Sequence, residues 1–363
     1  GEYSWGSLDQ RINLMRSMNA ELILTFCTAP GWMKTSGEDW AMNDRVADEH
    51  FEDYAELCKV AALRYPDIKY FQIWNEFKGF WSSDLKNWNV AKYTEFYNIV
   101  YDSVRSARPD AIIGGFYKGF NMTTGGVLTA NDLYMIDYWL DNNVGADFIS
   151  FDGSIHGWPH ESAPEQTLMD ISSCFGNIAS KIREKTDLPI WVSEYYAANI
   201  VGDAQFQAAN HASAYYHSLI SGTSVALHWD PVGFAPILTG TDNSSGGQTT
   251  PHYTVVSYYN KYFGPGRKLY KTICSDSKNF NVLASATKTL LINKQAKPVN
   301  VMLDGELITL DRYEVRLNER KNTLDLVENE NKSVSDLIMP FNLSDPTISL
   351  SSNNSSVASV DES

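Results

Sequence analysis

Residues 69–76 read KYFQIWNE and residues 188–194 read LPIWVSE. Each is an apolar run too short for a stable helix, rich in β-branched and aromatic side chains, and each ends on a glutamate. Runs of that kind predict buried strands of a parallel sheet. Four more occur, at 21–26 (ELILTF), 111–116 (AIIGGF), 146–151 (ADFISF) and 224–229 (SVALHW). Between them the spacing of apolar residues predicts helices near 48–64, 91–107, 131–142, 165–186, 204–221 and 252–263. One stripe, Tyr93, Phe96, Tyr97, Val100, Tyr101 and Val104, is closed by Pro109. A helix at 7–18 precedes them all, with Leu8, Ile12, Met15 and Met18 expected to face inward. Strand and helix in regular alternation is the rhythm of repeated β-α units around a parallel sheet.

From Gly264-Pro265-Gly266 the texture changes to short runs of β-formers (KLYKTIC, FNVLASA, TLLINK, VNVMLD, ELITL), which predict a small antiparallel β domain. The expected organisation is a β/α domain over 1–263, a β-sandwich-like domain over 264–325, and an Asn- and Ser-rich tail over 326–363, partly disordered.

The chain has 363 residues, 43% hydrophobic and 20% charged, enough to bury a sizeable core. Lys and Arg number 29 against 44 Asp and Glu, and 29 − 44 = −15 argues against a nucleic-acid partner. No apolar run approaches the roughly 18 residues of a membrane-spanning helix, so no membrane partner is expected. Cys27, Cys58, Cys174 and Cys274 form no CxxC pair, and burial as free thiols is expected for at least three of them. Aromatic residues reach 13%, with ten Trp and twenty Tyr, suited to stacking on sugar rings. Asn121, Asn243, Asn331, Asn342, Asn353 and Asn354 each begin an Asn-x-Ser/Thr site, which hints at a secretory or extracellular location.

Glu76 and Glu194 are 118 residues apart, yet in a β/α barrel the C-terminal ends of the strands open into one pocket. Hydrolysis of a glycosidic bond needs such a pair, one carboxyl protonated to release the leaving group and one ionised to attack or to activate water. The plainer alternative is that each caps a helix or pairs with a lysine. Seven histidines offer no HExxH-like spacing, and His156 and His160 flank Pro159, so neither a catalytic metal nor a cofactor is expected. Gly114-Gly115 and Gly125-Gly126 read as tight turns.

Trp74-Asn75-Glu76 resembles the Asn-Glu signature at the end of barrel strand four in the clan A glycoside hydrolases, and Val192-Ser193-Glu194-Tyr195 resembles their nucleophile segment at the end of strand seven. With 224–229 as strand eight, counting back gives the numbers seven and four that the clan requires. The resemblance extends to Ala29-Pro30-Gly31-Trp32, His156 and Trp229, about 230 residues in all, and is closest to family 39, the β-xylosidase and α-L-iduronidase type. It implies a TIM (β/α)8-type barrel and retaining hydrolysis by double displacement. Glu194 would be the nucleophile and Glu76 the acid/base, its pKa raised by apolar surroundings and by Glu194. Asn75 would bind the sugar 2-hydroxyl, His156 the sugar or Glu194, and Trp229 would floor the sugar site. Tyr195 is expected to bind substrate too, and so are Trp32, Trp158 and Tyr117, read as rings in loops after strands that either stack on a sugar or pack the loop. Trp40, Phe80, Trp81 and Trp88 join them as rings in loops after strands.

In the retaining geometry the two carboxyl groups are roughly 5–5.5 Å apart. The rival expectation is a carbohydrate-binding barrel without activity. Family members begin with two strands that have no counterpart before residue 7, so a separate N-terminal segment completing the barrel is expected as a partner alongside the carbohydrate substrate.

Overall fold

A computed structural model describes residues 3–122, 125–154, 164–196, 203–230, 232, 236–240, 242, 244, 246–320 and 339–341. The order is α1 (Gly6–Ser17), β1 (Ile23–Phe26), α2 (Phe51–Arg64), β2 (Tyr70–Ile73), the short pair β3 (Trp81–Ser82) and β4 (Asn87–Trp88), α3 (Val90–Ala107), β5 (Ile112–Gly119), α4 (Ala130–Asn142) and β6 (Phe148–Ser154). Then come α5 (Glu165–Asp170), α6 (Cys174–Arg183), β7 (Ile190–Tyr196), α7 (Ala204–Ile220), β8 (Thr223–His228) and α8 (Pro251–Tyr258). All six expected strands and the helices between them lie where the apolar periodicity put them, within a few residues at each end. The tail expected over 326–363 lies outside the described residues except for 339–341.

Two compact units divide the chain. The first holds 1–121, 128–153 and 181–193, and the second 122–127, 154–180 and 194–363. Six strands form one sheet in the order β1-β2-β5-β6-β7-β8, and the pairs β1·β2, β2·β5 and β5·β6 are parallel.

In the first unit Tyr70 on β2 meets Trp191 on β7, ring centroids 5.6 Å apart, and Ser193 Oγ on β7 donates to Gln72 Oε1 on β2. β5 and β6 lie between these strands in the sheet, so side chains can meet this way only if the sheet curls and turns one face inward. Trp191 also stacks on Phe148 of β6 at 3.9 Å. A Cβ at Gly114 of β5 would fall 2.3 Å from the Phe148 ring, and one at Gly115, on the opposite face, 2.3 Å from Tyr97 of α3. This glycine pair is therefore not the expected turn. It lies inside a strand and makes room for aromatic rings on both faces. Gly125 and Gly126, with φ of +74° and +70°, do form a turn.

The outer face packs on helices through a cluster of aromatics. Phe77 stacks on Tyr93 at 3.9 Å, and Trp74, Phe80 and Phe96 adjoin in edge contacts. The largest fully buried side chains include Trp74, Trp139, Tyr93, Tyr97 and Phe96. Much of the aromatic content thus goes to the core rather than to sugar stacking.

Capping fixes the helix starts: Asn89 accepts from Lys92 N at α3, and Thr129 and Asp132 form a reciprocal box at α4. On α1 only Ile12 of the four expected inward residues is buried, while Met15 and Met18 are exposed. Polar contacts hold this helix instead, Asp9 to Arg64 and Tyr65, and Arg16 to Asp67.

In the second unit the C-terminal segment forms the expected antiparallel sheet. β9 (Leu269–Lys271), β10 (Phe280–Ser285), β11 (Lys288–Asn293) and β14 (Val315–Glu319) stand in the order β14-β11-β10-β9-β15, with β15 being Met339–Phe341. β12 (Val299–Leu303) and β13 (Glu306–Leu310) make a separate hairpin. The sheet is tied to α7 by Ser213 Oγ donating to Asn281 Oδ1 at 2.7 Å and by Phe206 against Tyr313 at 5.1 Å. All four thiols are free, but only Cys58 and Cys174 are buried, two rather than three. Among the described residues no helix is long and apolar enough to cross a membrane.

Also on α7, His217 is pushed down to about 3 by desolvation and by the charge of Lys294. An unfolded histidine titrates near 6.5. Above that pH neither state binds the proton; as pH falls from about 6.5 towards 3, only the unfolded state does, so stability is lost across this window. The loss is on the order of 2 kcal/mol after allowance for partial exposure. Urea midpoints measured from pH 7.5 to 4 should fall, and His217→Gln should flatten that fall; an unchanged slope in the variant would refute this account.

Candidate active site

The stretch that follows β2 is built to hold Glu76 in one place. Trp74, Glu76 and Phe77 have φ of +66°, +54° and +57°, a region that costs bulky residues roughly 1 kcal/mol or more each. The turn is held by Trp74 N donating to Phe26 O (3.1 Å), Lys78 N to Asn75 O (3.0 Å) and Trp74 Nε1 to Lys78 O (2.8 Å). Gly79, with φ of +79°, lies so close to Arg45 that a Cβ would fall 2.2 Å from its backbone nitrogen. Strain kept by so many contacts is characteristic of sites that fix a reacting group.

Around Glu76, Asn75 Nδ2 donates to Oε2 at 3.3 Å, and Lys78 Nζ forms an ion pair with the same carboxyl. Burial raises the pKa of Glu76, but hydrogen bonds with Asp152 and Lys78 and the charge of Lys78 outweigh it and leave the carboxyl below its ordinary range. The expectation of a raised pKa is corrected by that lysine. Asp152, buried on β6, was also missed. It follows the apolar run ADFISF as Glu76 follows KYFQIW, so the same strand-end signal marks it. Two carboxyl groups can hydrogen-bond only by sharing a proton, so Glu76 and Asp152 titrate as a pair.

Glu194 stands on β7 directly after Ser193 and is half-buried. Tyr195, expected at the substrate, is buried instead: its ring meets Phe175 of α6 at 5.0 Å and its hydroxyl bonds His211 Nδ1 of α7 at 2.5 Å. Tyr117 and Phe80, expected as loop rings, are also buried, and Tyr117 lies within β5 because that strand runs on to Gly119. Trp32, Trp40, Trp81 and Trp229 are exposed, as rings that stack on sugars must be. Trp81 and Trp88 make an edge contact at 5.5 Å across the β3–β4 pair. Trp229 follows β8, its backbone N–H donating to Tyr195 O at 2.9 Å. His156 and Trp158 lie outside the described residues.

The fold also assembles a group that no local spacing announces. His211 on α7, His228 on β8 and His252 on α8 bring one ring nitrogen each to within 4.8 Å of one another.

No family model matches the sequence, and no curated protein matches it. Solved structures do match. A conserved exported protein from Bacteroides fragilis is 14% identical, covering 87% of this chain and 80% of that one with a TM-score of 0.61. A family 39 glycoside hydrolase from Bacteroides cellulosilyticus is 15% identical, covering 88% and 70%, with a TM-score of 0.54. A monomeric β-xylosidase from Caulobacter crescentus is 14% identical, covering 80% of this chain but only 62% of its own, with a TM-score of 0.53. At such identities the likeness concerns the fold alone: a mixed α/β chain with a parallel sheet and a C-terminal antiparallel sheet, similar to glycoside hydrolases of the TIM-barrel type.

Proposed function

We propose that the protein is a retaining O-glycoside hydrolase of the clan A, family 39-like type, acting on an oligo- or polysaccharide by double displacement. The observation that carries this reading is the strained turn that fixes Glu76 just after β2, in a sheet where β7 carries a second carboxylate, Glu194, near its C-terminal end. On this reading the strands β1, β2, β5, β6, β7 and β8 correspond to barrel strands three to eight, and the two glutamates belong to strands four and seven. In the first step Glu194 attacks the anomeric carbon while Glu76 protonates the leaving oxygen. In the second Glu76 takes a proton from water, which releases the sugar from Glu194. The reading places the two carboxyl groups about 5–5.5 Å apart. Asn75 holds the 2-hydroxyl, and the exposed Trp32 and Trp229 offer apolar faces to the sugar. His156 and Trp158 keep their implied roles. The Asn-x-Ser/Thr sites and the likeness to an exported protein support an extracellular site of action. A 2-deoxy-2-fluoro glycoside that labels Glu194, located by peptide mass spectrometry, tests the mechanism; label on another carboxylate would overturn it.

Lys78 makes the pH dependence specific. A general acid must be protonated, and the ion pair holds Glu76 ionised at neutral pH, so glycosides with poor leaving groups should turn over best on the acid side. Activity in kcat/KM falls as pH rises through the Glu76 pKa. Lys78→Met removes the cation, raises that pKa, and should move the alkaline limb to higher pH by about one unit. A limb that stays in place would show that Glu76 is not the acid.

That ion pair also favours a second reading, a carbohydrate-binding barrel without activity, because it holds Glu76 in the ionised form, which does not protonate a leaving group. A panel of chromogenic glycosides assayed from pH 4 to 8 separates the two: hydrolysis of none of them, with retained sugar binding, selects the second.

A further inference from the structure

The buried polar groups of the second unit include a cluster that neither the sheet nor the proposed hydrolysis uses. His211 on α7 is wholly buried, His252 at the start of α8 is nearly so, and His228 at the end of β8 completes a triangle. Their ring centroids are separated by 3.8 Å (His211–His252), 5.0 Å (His228–His252) and 5.2 Å (His211–His228). His211 Nδ1 is engaged by the Tyr195 hydroxyl, while His211 Nε2 and both nitrogens of His228 have no hydrogen-bond partner among the described residues. Buried polar atoms are nearly always paired, so several unpaired ring nitrogens in one small cluster call for a bound group.

We propose that His211, His228 and His252 bind a divalent transition-metal ion of the zinc type, a stabilising site that ties α7, β8 and α8 together.

Three observations support this. Imidazole nitrogen is a preferred ligand for zinc, and three such ligands with one remaining position for water make a recurrent tetrahedral set. For three atoms no more than 4.8 Å apart some central point lies within roughly 2.8 Å of all of them, so movements of less than an ångström per ring reach the usual bond length of about 2.0–2.1 Å. A metal-ligating histidine usually has its second nitrogen held by an outer partner that fixes the ring, and Tyr195 takes that place at His211 Nδ1. Plain packing of three neutral rings leaves the unpaired nitrogens without explanation. The ion belongs to the helix side of β7 and β8 and takes no part in glycoside cleavage.

The test uses the full chain stripped with EDTA and then titrated with ZnCl2. Calorimetry and metal analysis after gel filtration should find one zinc per chain, and thermal melting should move to higher temperature with zinc but not with MgCl2. His228→Gln and His252→Gln should each weaken uptake at least about 100-fold, and Tyr195→Phe about 10-fold to 100-fold. His50→Gln, remote from the cluster, should leave uptake unchanged. Should the histidine variants fail to fold, CoCl2 added to the unaltered chain decides alone: intense tetrahedral absorption is expected, and a weak octahedral spectrum or none would overturn the site. Failure to retain zinc, or stoichiometric zinc that survives in both glutamine variants, would overturn it equally.

Discussion

Glu194→Ala is expected to lose turnover by about 10⁴-fold or more on every glycoside, because no other group in the proposed mechanism can attack the anomeric carbon. Glu76→Ala should divide substrates into two classes. An activated phenol leaves without protonation, so the glycosylation step should survive in large part, whereas an alkyl or sugar leaving group needs the proton and should be cleaved about 10²-fold to 10⁴-fold more slowly. Azide should restore turnover of activated substrates in Glu76→Ala by attacking the glycosyl-enzyme in place of a base-activated water. Equal losses in both variants on an activated glycoside would reverse or abolish this division of roles. The environment of Glu76 adds one condition: the comparison belongs at acidic pH, where the carboxyl held down by Lys78 and Asp152 carries its proton in the unaltered chain.

The sheet and its helices were legible in the sequence because burial writes a local pattern: a six-residue apolar run, or a stripe at spacings of three and four, identifies its element without knowledge of any neighbour. Glu76 and Glu194 were legible for the same reason, each being the first ionisable residue after such a run. What pairs with them was not. Lys78 is only two residues from Glu76, yet whether a lysine folds back onto a carboxylate depends on a turn with three positive φ angles that no composition announces. Tyr195 and Tyr117 read as site aromatics by adjacency, but neighbours on a strand can face opposite sides, and the side Tyr195 takes is set by α6 and α7. The Gly114-Gly115 pair suggests a turn because glycine is permissive, whereas here the decisive property is its lack of a Cβ beneath Phe148 and Tyr97. His211, His228 and His252 come from three elements and have no spacing to recognise.

Arg108→Ala is expected to destabilise the first unit by about 3–5 kcal/mol. The side chain is 8% exposed and its planar fork serves one turn almost alone. Nη1 donates to Ala62 O at 2.8 Å and Tyr65 O at 3.4 Å, and Nη2 to Pro66 O and Ile68 O at 3.1 Å each. These carbonyls end α2 and lead into β2, so the arginine substitutes for the hydrogen bonds a helix terminus lacks, just upstream of the strand that carries Glu76. Asp110 completes the set with oxygens 2.9 Å from Nε and from Nη2. Because Asp110 is largely exposed, Asp110→Ala should cost far less than Arg108→Ala. Arg108→Lys should keep the charge but lose the fork, falling between the two at about 2 kcal/mol. Urea unfolding followed by tryptophan fluorescence gives the three values. If Asp110→Ala and Arg108→Ala cost the same, the ion pair rather than the carbonyl cradle would hold the turn. If the cradle is what matters, Arg108→Ala should also lower activity at temperatures where the chain remains folded, because the loosened α2–β2 turn moves β2 and with it the strained segment that aims Glu76.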